Sequence, residues 1–227
     1  ERVHDPARRK TLHLAVEVAR TRLAFESGAL KESTEMAKTL LRRKDLLGEQ
    51  KGELHLFIGA ACHQLHDMEC AFEHHAKSMK IAESLPNAEP IVLAGRHANM
   101  GLMYAEAGDA PKAIEELGTA ADIVEEAFDA DHPMRGQLLS DRGGIQGAMM
   151  DPKDGEKDLL AGLAIHEKNH GKDDPALVEA LIDLTKTQLA LGKPAEAKKH
   201  GEWAMRIVDG AFEGQHPRRA DPRLPLS

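Results

Sequence analysis

Aromatic residues are scarce in this chain: one Trp, one Tyr and five Phe among 227 residues, or 3%. So small a supply argues against a sugar-stacking site and against a surface on which nucleic-acid bases stack. Cysteine is scarcer still. Cys62 and Cys70, eight residues apart, are the only two, which excludes a disulfide framework and makes reduced thiols in a cytoplasmic setting the expectation. No apolar run reaches the length of a membrane span; LHLFIGAAC, Leu54 to Cys62, is among the longest and is interrupted by His55. Basic residues are outnumbered, 30 Lys and Arg against 38 Asp and Glu, for a net charge of −8. That balance argues against a general nucleic-acid binder and against electrostatic docking on anionic membranes. The first residues, ERVHDPARRK, carry no signal-peptide pattern, and the chain begins with Glu rather than Met, as expected of a piece of a longer protein or of a processed chain.

What is abundant is Ala and Leu, with few β-branched runs, a composition that favours helices. It is organised by a period. The linkers DHP, DDP and QHP end at Pro133, Pro175 and Pro217, at intervals of 42 residues. Small residues follow the same period: Gly59, Gly101, Gly143 and Thr185; then Ala71, Ala113, Gly155 and Ala197; then Ser78, Ala120, Gly162 and Ala204. Small side chains at fixed offsets mark places where helices approach closely. Within each unit lies a short turn, such as EAGDAPKA around Gly108 or ALGKPAEA around Gly192. There Gly supplies a left-handed helix end and Pro suits the start of the next helix. ESGALKES around Gly28 sets a first, irregular unit with Thr21 and Ser33 at the small-residue positions. The spacing predicts antiparallel helix pairs over about 8–45, 50–84, 88–127, 134–169 and 175–211, a single domain over 1–217 and a polar tail or truncated capping segment over 218–227.

The unit NMGLMYAEAGDAPKAIEELGTAADI, Asn99 to Ile123, resembles a tetratricopeptide repeat, whose characteristic Gly, Tyr, Gly, Ala and Ala stand here as Gly101, Tyr104, Gly108, Ala113 and Ala120. The 42-residue period with Asp-His-Pro linkers is similar to the subclass found in kinesin light chains and in bacterial regulatory proteins. The resemblance covers residues 10–217 and implies an all-α fold, a right-handed superhelical solenoid of about five helix-turn-helix repeats. Departures are His66 in place of a turn Gly, Thr185 in place of a helix Gly, and a fourth unit, DRGGIQGAMMDPKDGEKDLLAGL, rich in Gly. Gly inside a helix costs up to about 1 kcal/mol, so the fourth unit is expected to be the loosest.

Three groups of residues invite a chemical reading. The Asp-His-Pro linkers look like an acid–base or metal loop, but their repetition favours helix starts, with Pro133 and Pro175 at the first helical position and Asp131 or Asp174 near the cap. CHQLHDMECAFEHH offers Cys62, His63, His66, Cys70, His74 and His75 as soft ligands for zinc. His66 sits at a turn, Cys62 and His75 occupy core positions, and the spacing matches no zinc signature, so no metal site or cofactor is expected. The acidic pairs Glu125–Glu126 and Asp173–Asp174 read as caps and solvated surface. Phosphate loops and nucleophile elbows are absent from the sequence, and no catalytic residue is assigned.

In the resembled family the first helix of each pair lines an inner, partner-binding surface. Carried over, that implies a groove formed by Arg22, Phe25, Glu53, Phe57, His63, Gln64, Asn99, Leu102, Glu106, Gln137, Asp141, Glu179, Asp183 and Lys186. Its charges are mostly negative, with Arg22 and Lys186 near the ends and small residues such as Gly144 and Gly147 at its centre. The expectation is a non-enzymatic scaffold for a protein or peptide partner presenting a basic or apolar segment, with neither nucleic acid nor membrane as partner. The alternative is a sensory or regulatory module of a larger bacterial signalling protein such as a kinase or transcription regulator; a metal-binding module is the third reading.

Overall fold

A computed structural model of the chain describes residues 6–213, and side chains from 8 to 211. The expected third linker at Pro217 and the polar tail over 218–227 lie outside the described residues. All regular structure among the described residues is helical, in ten helices. They are α1 (Pro6–Glu26), α2 (Leu30–Leu41), α3 (Gly48–Gln64), α4 (Met68–Ser84), α5 (Pro90–Glu106), α6 (Ala110–Ala127), α7 (Pro133–Met149), α8 (Pro152–His170), α9 (Leu177–Ala190) and α10 (Pro194–Glu213). The chain divides into two compact units, 1–103 and 104–227, with the division inside α5.

Local chemistry fixes where the helices stop and start. Gly108 ends α5 at φ +81°, a conformation that costs glycine nothing, and Asp109 then caps α6 by accepting the N–H of Lys112 at 3.3 Å. The second unit of the sequence period does the same with His66 at φ +61°, followed by Asp67, which accepts the N–H of Cys70 at 3.1 Å. Asp151 caps α8 through the N–H of Lys153 at 2.8 Å. Pro133 and Pro152 each occupy the first turn of their helices, where the missing N–H is no loss.

In the first unit the core gathers Leu14, Val18, Leu40, Leu54, Ile58 and Cys62 from α1, α2 and α3. Ser33, fully buried, donates its hydroxyl to the carbonyl of Thr21 at 3.1 Å; Ser78, also fully buried, donates to the carbonyl of Gly52 at 2.6 Å. The small residues therefore permit close approach, and the serines among them also donate to backbone carbonyls of the facing helix. The core of the second unit gathers Leu159, Leu163, Leu177, Leu181, Leu184 and Ile207 from α8, α9 and α10.

The glycines of the fourth repeat stand where the period places close helix approach, and the approach is closer than small side chains require. A Cβ on Gly155 would stand 2.5 Å from the nitrogen of Gly147 and 2.6 Å from its Cα, and one on Gly143 would stand 2.8 Å from the nitrogen of Leu159. Helices α7 and α8 thus touch backbone to backbone. The helix-propensity penalty behind the expected looseness is offset by this contact, which no residue with a side chain permits.

Candidate functional site

The linker DADHPMRG resolves into structure. Pro133 opens α7 as expected, but the cap is the imidazole of His132, whose Nδ1 accepts the N–H of Met134 at 3.2 Å. The His132 ring also lies 4.7 Å from that of Phe128. Asp131 is not the cap; its carboxylate pairs with Lys168, and its carbonyl accepts from the side-chain amide of Asn169 at 2.8 Å. At the next linker Asp174 does accept a backbone N–H, that of Ala176 at 2.7 Å, but α9 begins at Leu177, so Pro175 precedes the helix rather than opening it. Glu125 is tied to Arg135 at 2.9 Å. These groups are occupied in holding helix ends.

Around the second turn the structure corrects the expectation of reduced thiols. Cys62 and Cys70 are joined by a disulfide across the α3–α4 turn, with Cα atoms 5.8 Å apart. The His66–Asp67 reversal folds α4 back along α3, so eight residues of sequence close to a distance a disulfide spans. The Asp67 carboxylate comes within 4.8 Å of both sulfurs. Bonded to one another, the sulfurs are not thiolates and offer a metal little. The imidazoles of the sequence cluster go elsewhere. His66 is exposed; His74 meets His55, Nδ1 to Nδ1 at 2.9 Å; His75 is buried with its Nδ1 unpartnered. Burial pushes the His75 imidazole down to about 4, helped by the charges of His63, Arg96 and His74; burial first and the charge of His74 next push His55 down to about 4 as well.

Of the groove residues expected in the first unit, Arg22, Phe25, Glu53 and Phe57 lie together. Arg22 pairs with Glu53 and lies over the ring of Phe57 at 5.8 Å, and Phe25 stacks on Phe57 with centroids 6.0 Å apart. Phe57 is 7% exposed and belongs to the core, so it supports the surface rather than presenting itself. His63 and Asn99 are half-buried; Gln64 and Leu102 are exposed.

In the second unit Glu106, Gln137, Glu179 and Lys186 are exposed, while Asp141 and Asp183 are half-buried. Gln137 donates to Asp141 at 2.7 Å, and Lys186 pairs with Asp183 at 2.9 Å. Burial raises the Asp141 carboxyl to about 6, reinforced by the negative charges of Glu179 and Asp183 and opposed by the Gln137 hydrogen bond. The acids of α7 and α9 therefore face one another. The small residues do not leave open space here: a Cβ on Gly144 would stand 2.9 Å from Oδ2 of Asp183, and one on Gly147 would collide with the hydroxyl of Thr187. The space above these glycines is filled by Asp183 and Thr187 of α9. Of the two cations expected to stand at the groove's ends, each is bound to an acid of its own unit.

The described residues contain no helix long and apolar enough to cross a membrane. No family model matches the chain, and no curated protein sequence matches it. Solved structures do. BtubC (BKLC) from P. vanneervenii is 18% identical with a TM-score of 0.78, over 97% of this chain and 91% of that one. A Podosopora anserina protein of nearly identical TPR-like repeats is 17% identical with a TM-score of 0.71, over 88% and 97%. Aspartyl phosphate phosphatase F from Bacillus subtilis is 16% identical with a TM-score of 0.71, over 89% of this chain and 52% of that one. The fold is that of tetratricopeptide-repeat solenoids.

Proposed function

We propose that this chain is a non-enzymatic scaffold that binds a protein or peptide partner, and that the acidic face formed by α7 and α9 receives a basic segment of it. The single observation that carries this reading is the convergence of Asp141, Glu179 and Asp183. Burial first, and the negative charges of Glu179 and Asp183 after it, raise the Asp141 carboxyl, and an arriving cation favours its ionised form. Lys186 neutralises Asp183 only in part, because it is exposed and free to turn toward solvent. Stacked helical hairpins suit such a role, since each buries its core against its neighbours and leaves its first helix available.

The phosphatase among the similar structures does not argue for catalysis here, because likeness at 16% identity carries the fold and not an activity. The test is a titration of the protein with a Lys- and Leu-rich amphipathic peptide and with its Glu-for-Lys counterpart, followed by calorimetry. The basic peptide is expected to bind at tens of micromolar, to weaken at least about tenfold in Asp141→Lys/Asp183→Lys, and to lose affinity as salt rises. Equal binding by both peptides, or by the charge-reversed protein, removes the reading.

A further inference from the structure

The first unit contains a cavity that shares Arg22, Glu53 and Phe57 with the expected groove but none of the residues of the acidic face on α7 and α9. It has a volume of ≈ 450 Å³ and lies among the first half of α3, the second half of α4 and the opening turns of α5. That size lies within the range of small-molecule sites. Its wall is apolar where Leu56, Ile81, Leu85 and Val92 meet, and Val92 stands 37% exposed at the edge. An apolar residue left half in water at a concave opening lowers its free energy when something apolar covers it.

One polar group gives the cavity a chemistry. Arg96, on α5, lines it, and its Nε is enclosed with no hydrogen-bond partner. Among the described side chains Glu53 is the acid whose charge reaches it, but the Glu53 carboxylate is already paired with Arg22. Two guanidiniums therefore share the charge of one carboxylate, and the Nε of the more buried one has no hydrogen-bond partner. An arginine fork is completed by a planar carboxylate, which accepts two parallel N–H bonds. The remaining acids of the lining, Glu49 and Glu89, are exposed. They oppose a multiply charged ligand, such as a phosphate, more strongly than a singly charged one, and the half-buried Arg96 is the cation that a single carboxylate would match.

We propose that this cavity is a binding site for a monocarboxylate with a linear apolar tail of about eight to ten carbons. The carboxylate takes Arg96, and the tail lies along Leu56, Ile81, Leu85 and Val92. Binding involves no covalent step. It changes the protein by supplying the missing partner of Arg96 and by covering Val92. The site lies within the first unit, whereas the acidic face proposed for the protein partner lies in the second, so the two readings stand or fall separately.

The experiment is calorimetric titration of the intact chain with sodium decanoate, with 1-decanol and with inorganic phosphate. Decanoate is expected to bind one to one with a dissociation constant on the order of 10–100 μM, as a dozen heavy atoms in a partly apolar site allow. Decanol is expected to bind at least about tenfold more weakly and phosphate not measurably. Arg96→Gln removes the charge and weakens decanoate at least about tenfold. Val92→Trp fills the mouth from an exposed position, so it leaves the fold intact and abolishes binding even if the Arg96 variant unfolds. No heat with decanoate at millimolar concentration overturns the proposal. Equal affinity for decanol and decanoate overturns the role of Arg96, phosphate binding tighter than decanoate overturns the ligand class, and undiminished binding in Val92→Trp overturns the location.

Discussion

Arg142 on α7 holds Asp158 on α8 with both prongs of its guanidinium, Nε to Oδ2 at 2.6 Å and Nη2 to Oδ1 at 3.0 Å. The Asp158 residue is 7% exposed. The pair bridges the two helices whose backbones touch at Gly143 and Gly155, and it is set back from solvent, so it is weakly screened. Its presence raises the Arg142 pKa through the Asp158 hydrogen bond. Breaking one side leaves a buried carboxylate without a counter-charge. Arg142→Met is therefore expected to cost about 3 kcal/mol or more, whereas Arg142→Met/Asp158→Leu recovers most of that loss. Urea unfolding of the single and double variants measures both, and a double variant as unstable as the single would show that packing, not charge, carries the effect.

Acid sensitivity should come from the histidines of the second hairpin. His75 ionises near 6.5 in an unfolded chain and near 4 in the fold, because burial disfavours its charged form. A depressed value means that the unfolded state binds the proton first. Stability is therefore complete above about pH 6.5 and falls as the pH drops toward 4. His75 alone contributes on the order of 2 kcal/mol to that fall. His55 adds to it in the same direction. Thermal melts from pH 7.5 to 4 check this, and His75→Gln, which cannot titrate, should flatten the acid limb.

Asp141 behaves in the opposite sense. Its carboxyl is raised from 3.8 to about 6, so the fold favours the protonated acid, and that stabilisation is lost as pH rises through about 6. At pH 7.5 the ionised group is a liability that Asn relieves. Asp141→Asn is expected to stabilise the protein by roughly 1–2 kcal/mol at pH 7.5 and by little near pH 4. Denaturant midpoints at the two pH values decide it. The same substitution should weaken a basic peptide at pH 7.5, so a gain in stability accompanied by a loss of binding is the expected signature of a strained binding acid.

The architecture was legible in the sequence because it rests on periodicity. Ala71, Ala113, Ala120 and Ser78, found at 42-residue spacing, are all fully buried, and Gly28, Gly108 and Gly192 adopt the left-handed turns expected of them. What escaped depends on pairing rather than pattern. Arg142 and Asp158 belong to no motif, and the spacing of sixteen residues joins them only once α8 folds back on α7. The turn at His66 was legible, but the Cys62–Cys70 bond depends on how closely α4 folds back along α3, a distance that spacing alone does not give. The cap at the first linker is His132 where Asp131 was the expected neighbour, because an imidazole nitrogen, like the Asp174 carboxylate oxygen in the next linker, can accept a helix N–H. The unpartnered Nε of Arg96 is a property of three-dimensional surroundings that a linear reading does not contain.

Gly155 and Gly210 make the sharpest test of why the fourth repeat is rich in glycine. Both lie within helices, α8 and α10, and propensity alone predicts that alanine would stabilise each by roughly 0.5–1 kcal/mol. Around Gly210 nothing lies within 4 Å of an added Cβ, so Gly210→Ala should deliver that gain. At Gly155 the added methyl would meet the nitrogen and Cα of Gly147 at 2.5 and 2.6 Å, and the carbonyl of Gly143 at 2.8 Å. These are backbone atoms of a packed helix and cannot rotate away, so α7 and α8 must move apart. Overpacking of this kind typically costs about 1–3 kcal/mol, which outweighs the propensity gain, so Gly155→Ala should lower the melting temperature while Gly210→Ala raises it. Amide exchange measured on the Gly155→Ala protein should show its losses of protection concentrated in α7 and α8. If instead both substitutions stabilise by the same amount, the glycines of the fourth repeat are not there for close packing.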